Sequence, residues 1–391
     1  MRKTWVALIP AVAALIFVPV IAKANSGDFS GAVAVGSSYA GTVTAPTNGA
    51  AVQGSVGIGT TTPAQALEVN GVGQFDTSII LNGNEVPVAP GARLTLTSNT
   101  PVMTADKTGA TTVYYADMVS DLVPVYTGSH WQAFALGGQL SLALDSNSAH
   151  TGYQQATKNF DLFVYANAGV ATLCTGPAWT NATTRANAIS LYNGIWTNTA
   201  TITLKCDTTS STASISANQA TYVGSMYSTA NGQTAMQFNP SAASGGSANI
   251  LGLYNAYNRV LTISTEREST SSWNYATATW RAENNSANNS VHWIDGLGQS
   301  AVASSYSIFC ANPTTNDGAA IGIDLDSTTA GPSTVSETSS SGTVTIQATG
   351  PTTPQLGYHY LAAMETETSG GTASYYPFGG AYGSLVVRID M

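Results

Sequence analysis

Apolar and polar positions alternate with period two along most of this chain, in runs of about five to eleven residues. From Arg93 to about Lys205 the runs are "RLTLTS", "TTVYYAD", "LVPVYTG", "WQAFAL", "LSLAL", "FDLFVYA" and "VATLCTG". From Ile250 onward they are "RVLTIST", "WNYATATW", "SVHWIDG", "SIFCAN", "AIGIDLD", "TVTIQAT", "YHYLAAMETET" and "SLVVRIDM". Period two sends successive side chains to opposite faces of a strand, and the spacing of the turns is that of a sandwich or barrel. The pattern predicts an all-β fold with two β-sandwich or jelly-roll-like domains, at 91–206 and 250–391. Between them, 207–249 mixes polar tracts with strand fragments and ends in "SAASGGSAN", which predicts a polar linker or long loops. Helical periodicity is confined to "TRANAIS" and "LGLYNAYN".

The alternation is thinner from 25 to 90. "VAVGSS" (Val33–Ser38) and "VGIGTT" (Val56–Thr61) match at a spacing of 23 residues, a weak internal repeat. Glycine-flanked strands this short lose more backbone entropy on ordering than their own burial returns. "ALEV" and "QFDTSIIL" follow, closed by Asn70-Gly71 and Asn82-Gly83, the dipeptides of two-residue hairpin turns. Leu67, Val69, Phe75, Ile79 and Leu81 then need an apolar partner that this stretch does not contain. Three copies about one axis would bury the same face together, so the segment reads as a stalk completed by a homotrimer. The alternative is an ordinary hairpin packed on the domain that follows.

Composition changes the picture in one respect. Charged residues make up 8% of the 391, and Ser, Thr, Asn, Gly and Ala take their place, a surface suited to an extracellular fibre or shell. The formal net charge is −9 with no basic block, which argues against nucleic acid as a partner. Residues 1–24 have Arg2 and Lys3, an apolar run and Ala22-Lys23-Ala24, the plan of a secretory signal peptide or, failing cleavage, an N-terminal anchor. Export to a cell or virion surface follows as the expectation, with membrane contact only through the leader. In such an oxidising compartment Cys174 and Cys206 either pair, leaving Cys310 as a buried thiol, or all three are separate buried thiols.

"VGIGTTTPAQALEVNG" resembles a short element found in many bacteriophage tail-fibre and tail-fibre-like proteins. Gly91–Trp131 and Tyr257–Ser300 resemble stretches common in phage and prophage structural proteins. The resemblance implies a trimeric fibre whose β-rich distal part meets a cell-surface or glycan receptor. Two departures stand out: there is no counterpart of the self-cleaving chaperone domain that ends many such fibres, and a secretory leader is foreign to parts assembled in the cytoplasm. "VAVGSS" and "VGIGTT" are also similar to head repeats of trimeric autotransporter adhesins, without the coiled coil and membrane strands of those proteins.

Chemistry is sparse. A glycosidase needs two carboxylates about 5–10 Å apart, and the candidates are Glu266, Glu268, Glu283, Asp295, Asp324 and Asp326. Glu266 and Glu268 fall on one face of a strand, either as such a pair or as a solvated edge that discourages aggregation. Asp324-Leu-Asp326 lacks the Gly and Glu of a calcium loop and reads as a surface turn. His130, His150, His292 and His359 are scattered, no nucleophile motif occurs, and no metal or cofactor is expected. The expectation is therefore a non-enzymatic protein, with a glycan-degrading spike or a ligand-free appendage as alternatives. Aromatic residues are the ligand-binding candidates: Trp273, Tyr275, Trp280 and Trp293 beside several asparagines, and Tyr375, Tyr376 and Phe378 in "YYPFGGAYG". Tryptophans filling the sandwich core are the competing account.

Overall fold

The computed structural model describes residues 33–35, 38, 44, 47, 50–70, 80–81, 84–312, 318–338, 342–377 and 383–391. The leader (1–24), Phe75, Ile79 and Phe378 lie outside the described residues. The chain divides into two compact units, Met1–Asp76 and Thr77–Met391. The protein is all-β: among the described residues the one helical turn is the 3-10 turn Glu283–Asn285. "TRANAIS" is not helical, and "LGLYNAYN" contains the strand Leu253–Asn255.

In the first unit both copies of the repeat build the same object. Val33–Val35 pairs in parallel with Ala50–Val52, and Val56–Ile58 pairs in parallel with Leu67–Val69. In each, the residue after the second strand donates its N–H to the last carbonyl of the first: Gln53 to Val35 at 2.7 Å and Asn70 to Ile58 at 2.8 Å. The hairpin expected at Asn70-Gly71 runs into 71–79, outside the described residues. Parallel strands are ordinarily joined by a crossover of a dozen residues or more, commonly a helix that covers one face. Residues 59–66 are too few for one, and among the described residues the apolar side chains stay exposed. Ile58 and Leu67 are each 55% exposed, Val35 is 49% exposed, and Val52 and Val69 are also exposed.

The second unit begins inside the expected stalk. Ile80–Leu81 and Asn84–Glu85 form an antiparallel hairpin whose Leu81↔Asn84 register leaves Asn82-Gly83 as its two-residue loop, as the dipeptide predicted. Further on, a six-stranded sheet is built around Lys158–Asn167 and Ala220–Ser228. A larger sheet of eight strands centres on Gly357–Glu367 and Ser290–Asp295 and takes in Thr234–Met236 and Lys107–Ala110. A third, of six strands, runs from Leu261–Arg267 through Ser384–Asp390 and Val302–Asn312 to Trp273–Tyr275. Tyr375 of the third sheet donates its hydroxyl to the Thr366 carbonyl of the eight-stranded sheet at 2.7 Å, tying the two layers together.

These pairings correct the expected division at 206 and 250. Ala220–Ser228 lies within the stretch taken for a linker, yet it is a buried strand pairing with Lys158–Asn167 on one side and Leu253–Asn255 on the other. Its small residues reflect crowding: a β-carbon on Gly224 would collide with the Tyr254 carbonyl and the Leu94 side chain. Lys107–Ala110 likewise leaves the expected first sandwich to edge the eight-stranded sheet.

Cys174 and Cys206 are joined in a disulfide, with Cα atoms 4.2 Å apart and a sequence separation of 32; Cys310 is a buried thiol. Closing that loop restricts the unfolded chain, so reduction is expected to lower stability by about 2–4 kcal/mol. Urea unfolding with and without reductant measures this, and an unchanged midpoint in fully reduced protein would refute it. Cys310 should stay unmodified by thiol reagents until the protein unfolds.

Candidate functional site

Leu261–Arg267 is an edge strand with an inverted pattern. Thr262, Ser264 and Glu266 point inward, while Leu261 and Ile263 are exposed. The inward row is polar because it meets polar partners: the Ser264 hydroxyl donates to the Gln237 carbonyl at 2.9 Å and accepts from Asn249 Nδ2 at 2.9 Å. The outward row lines an open cleft of about 310 Å³ with Val102, Met103 and Phe238. Glu266 and Glu268 do share a face, but they are fully buried rather than solvated.

Three further glutamates come to the same end of the unit: Glu283 from the 3-10 turn, and Glu365 and Glu367 from Gly357–Glu367; all five are 0% exposed. Donors surround some of them. Glu268 accepts from the Gly245 and Thr270 N–H groups at 2.9 and 2.7 Å and from Asn284 and Asn289 Nδ2 at 3.1 and 3.2 Å. Those bonds outweigh burial and hold its carboxyl below the usual range. Glu365 is pushed up to about 7 by burial, against the pull of Arg281 at 2.7 Å and Trp273 Nε1 at 2.7 Å. Glu367 is held at about 2, because the Ser369 and Gly370 donors overcome its burial.

Glu266 and Glu283 differ from these. The Ser247 and Arg267 N–H groups approach the Glu266 carboxyl and the Tyr306 hydroxyl approaches Glu283, but none closes a well-formed hydrogen bond, and Asn289 Oδ1 near Glu266 has none either. Burial pushes Glu266 up to about 8, with the negative charge of Glu268 adding to it. Glu283 is raised by burial and by the adjacent Glu266 and Glu365. The arrangement favours neutral acids here over an ion pair with substrate-level access, since a buried unpaired carboxylate is strongly disfavoured.

The other flagged acids are elsewhere. Asp295 staples a turn by accepting from the N–H groups of Leu297, Gly298 and Ser300. Asp324 is a buried residue of the strand Ala319–Leu325, and only Asp326, at φ 56°, lies past its end, pairing with His359 at 2.7 Å and accepting the Tyr360 N–H at 2.9 Å; the expected surface turn is thus confined to Asp326.

Most of the aromatic candidates are already occupied. Trp293 and Tyr375 are core residues, which removes them from any surface platform. They were misread because a bulky aromatic on an alternating strand serves a core and a binding face equally well. Half-buried Trp273 stacks on Tyr375 with centroids 6.0 Å apart and spends its N–H on Glu365. Tyr275 is covered by the Arg281 guanidinium 3.7 Å from its ring centroid. Trp280 and Tyr376 are half-buried.

An aromatic row that the sequence reading passed over is more continuous. Tyr227 stacks on Tyr358 at 3.7 Å and 11°, Tyr358 neighbours His292 at 5.5 Å, and His292 neighbours Tyr360 at 4.9 Å. All four are half-buried. Beside Tyr227 and Tyr358 lies a small cleft of about 120 Å³, bordered by Lys158, Asn159 and Asn181. The available signal was "YHY", whose two tyrosines share a strand face, directly opposite His292 and Ile294 of "SVHWIDG".

No helix among the described residues is long and apolar enough to cross a membrane, which says nothing of membrane strands. No family model matches the chain, and no curated protein does. Among solved structures, the insecticidal delta-endotoxin Cry8Ea1 of Bacillus thuringiensis aligns over 72% of this chain and 49% of its own at 8% identity, with a TM-score of 0.21. The mosquito-larvicidal Cry4Aa toxin of the same organism aligns over 77% of this chain and 57% of its own at 7% identity and a TM-score of 0.17. This chain thus spans about half the length of each toxin. A structure of infectious bursal disease virus, Gx strain, aligns over 78% of this chain and 82% of its own, at 10% identity and a TM-score of 0.15. Likenesses at these scores carry no argument about fold or function.

Proposed function

We propose that this is an exported, non-enzymatic, fibre-like attachment protein. Its first unit is a stalk completed by other copies of the chain, and its second is presented to a cell-surface or glycan receptor. The observation that carries the reading is the row of exposed apolar residues on the repeated parallel unit: Val35 and Val52 in one copy, Ile58, Leu67 and Val69 in the next. Two short strands without a covering element cannot bury such a row, whereas identical rows on neighbouring copies can. The non-enzymatic part is supported by the enclosure of Glu266, Glu268 and Glu283, which come together away from solvent. For recognition, the half-buried row Tyr227, Tyr358, His292 and Tyr360 has the amphipathic chemistry that suits a contact surface.

The test is the native mass of the chain by light scattering. A mass of three chains is expected, falling to one chain in Ile58→Ser/Leu67→Ser while the second unit keeps its unfolding transition. A monomeric wild type with an ordered 50–70 segment would overturn the stalk.

A further inference from the structure

Arg185, Lys205 and Arg281 each meet a carboxylate inside the second unit; Arg93 does not. Arg93 lies on the strand Ala92–Thr95 and is 5% exposed. Its Nη1 donates to the main-chain oxygens of Asn258 at 3.1 Å and Met391 at 2.6 Å, and its Nε meets no acceptor. No Asp or Glu among the described residues pairs with it, and burial pushes the guanidinium down to about 10 with no opposing charge. A cation held away from water without a counter-charge is costly, and proteins ordinarily pair such groups.

Arg93 forms part of the wall of the open cleft of about 310 Å³ beside Leu261–Arg267. Asn255, 1% exposed, lines the same cleft. Its Oδ1 accepts the Leu94 N–H at 2.6 Å, so Nδ2 is the donor left for a ligand. Val102, Met103 and Phe238 supply apolar walls. Buried donors, one of them charged, among apolar side chains suit a carboxylate carried on an apolar body. The neighbouring strand adds a main-chain edge. Val260 exchanges both main-chain bonds with Met391, so by alternation Thr262, Ser264 and Glu266 bond to Ser384–Asp390, while Leu261 and Ile263 turn their N–H and C=O groups the other way. Phe238 closes that edge only at Thr265, whose N–H its carbonyl accepts at 2.8 Å. Among the described residues the Leu261 and Ile263 N–H groups meet no acceptor. An open edge of this kind is a template for an extended chain.

We propose that this cleft binds the C-terminal tail of a partner polypeptide. The tail's free carboxylate meets Arg93 and Asn255, its last apolar side chain enters between Val102, Met103 and Phe238, and its backbone pairs with the edge at Leu261 and Ile263. Arg93 and Val260 bond the same residue, Met391, which puts the arginine at the start of Leu261–Arg267. A tail with its carboxylate there runs antiparallel to the strand, and Phe238 at Thr265 ends the pairing after a few residues. The edge favours a peptide over a fatty acid of similar polarity, which has no main-chain groups to meet it. The inference goes beyond the attachment reading and stands apart from it, since neither the stalk nor the aromatic row takes part.

The test titrates the full chain by calorimetry with acetylated pentapeptides, Thr-Val-Thr-Val followed by Val, Leu, Ile or Met. At least one with a free carboxylate should bind, and its C-terminal amide should bind about tenfold more weakly or worse. Arg93→Met should cost as much. Because that variant touches the interior and can fail to fold, Ile263→Pro is the second. It removes one outward N–H at an edge position where proline is tolerated, so the unfolding midpoint should hold while peptide binding falls about tenfold. Octanoate carries the same head and an apolar body without a backbone, and should bind more weakly than the peptide. Binding by none of the peptides overturns the proposal, as does equal binding of acid and amide. Octanoate binding as tightly as the peptide, or undiminished peptide binding by Ile263→Pro, overturns it by removing the main-chain edge from recognition.

Discussion

Arg185→Ala will destabilise the second unit by about 3–5 kcal/mol, the usual cost of leaving a buried charge without its partner. Arg185 Nε meets Asp161 Oδ2 at 2.8 Å, and its guanidinium lies over the Trp179 ring at 4.5 Å and near the Tyr222 ring at 5.4 Å. It also donates to the Tyr222 hydroxyl and the Gly296 carbonyl. Burial lowers the Arg185 guanidinium's own affinity for its proton, and Asp161 more than restores it. Without the arginine, Asp161 keeps the Ser225 hydroxyl at 2.6 Å but no cation, and burial already pushes its carboxyl up. Adding Asp161→Asn should therefore recover part of the loss. Urea unfolding of the two single variants and the double variant measures the coupling. A loss below about 1 kcal/mol for Arg185→Ala would show that the ion pair does not hold the unit together.

The second large effect concerns pH. The unit should become less stable as pH rises from about 4.5 to about 8. An unfolded glutamate releases its proton near 4.5, whereas Glu266 holds it to about 8 in the folded chain. Between those values the native state binds more protons than the unfolded state, so stability falls with rising pH. Above about 8 the loss is complete, on the order of 5 kcal/mol from Glu266 alone. Glu283, raised in the same way, adds to it. His359, raised through Asp326 despite its burial, acts in the same direction once pH passes its ordinary value. Glu367 works the other way: held at about 2, it contributes stability that is lost as pH falls below 4.5. Stability should thus peak near pH 4–5. Urea midpoints from pH 3 to 9 measure this, and a profile flat from pH 5 to 8 would mean that Glu266 is ionised throughout.

Much of the fold was legible in the sequence because it rests on local signals. Period-two alternation marked the strands, Asn82-Gly83 set a hairpin, and the recurrence of "VAVGSS" as "VGIGTT" marked a unit built twice. The pairing of Cys174 with Cys206 stood as one of two readings, open until their Cα atoms were found 4.2 Å apart. The site was legible only in its parts. Glu266 and Glu268 share a face, but it is the covered one, not a solvated edge, while Leu261 and Ile263 face outward. Alternation specifies two faces without saying which is covered. That depends on neighbours such as Gln237 and Asn249, remote in sequence from Ser264 by more than local pattern can reach.

What the sequence determined by itself is strand content, turn chemistry, low surface charge and the repeated apolar row of the first unit. Each is a property of a residue and its near neighbours. The tertiary structure alone decided that 91–206, 207–249 and 250–391 are one unit: Asp161, Ser225 and Gly296 come from the three segments and meet around Arg185. It alone also decided that Glu266, Glu268, Glu283 and Glu365 come together away from solvent. Strand pairing is non-local and burial is collective, so a polar stretch such as Ala220–Ser228 becomes a core strand only when its partners close over it.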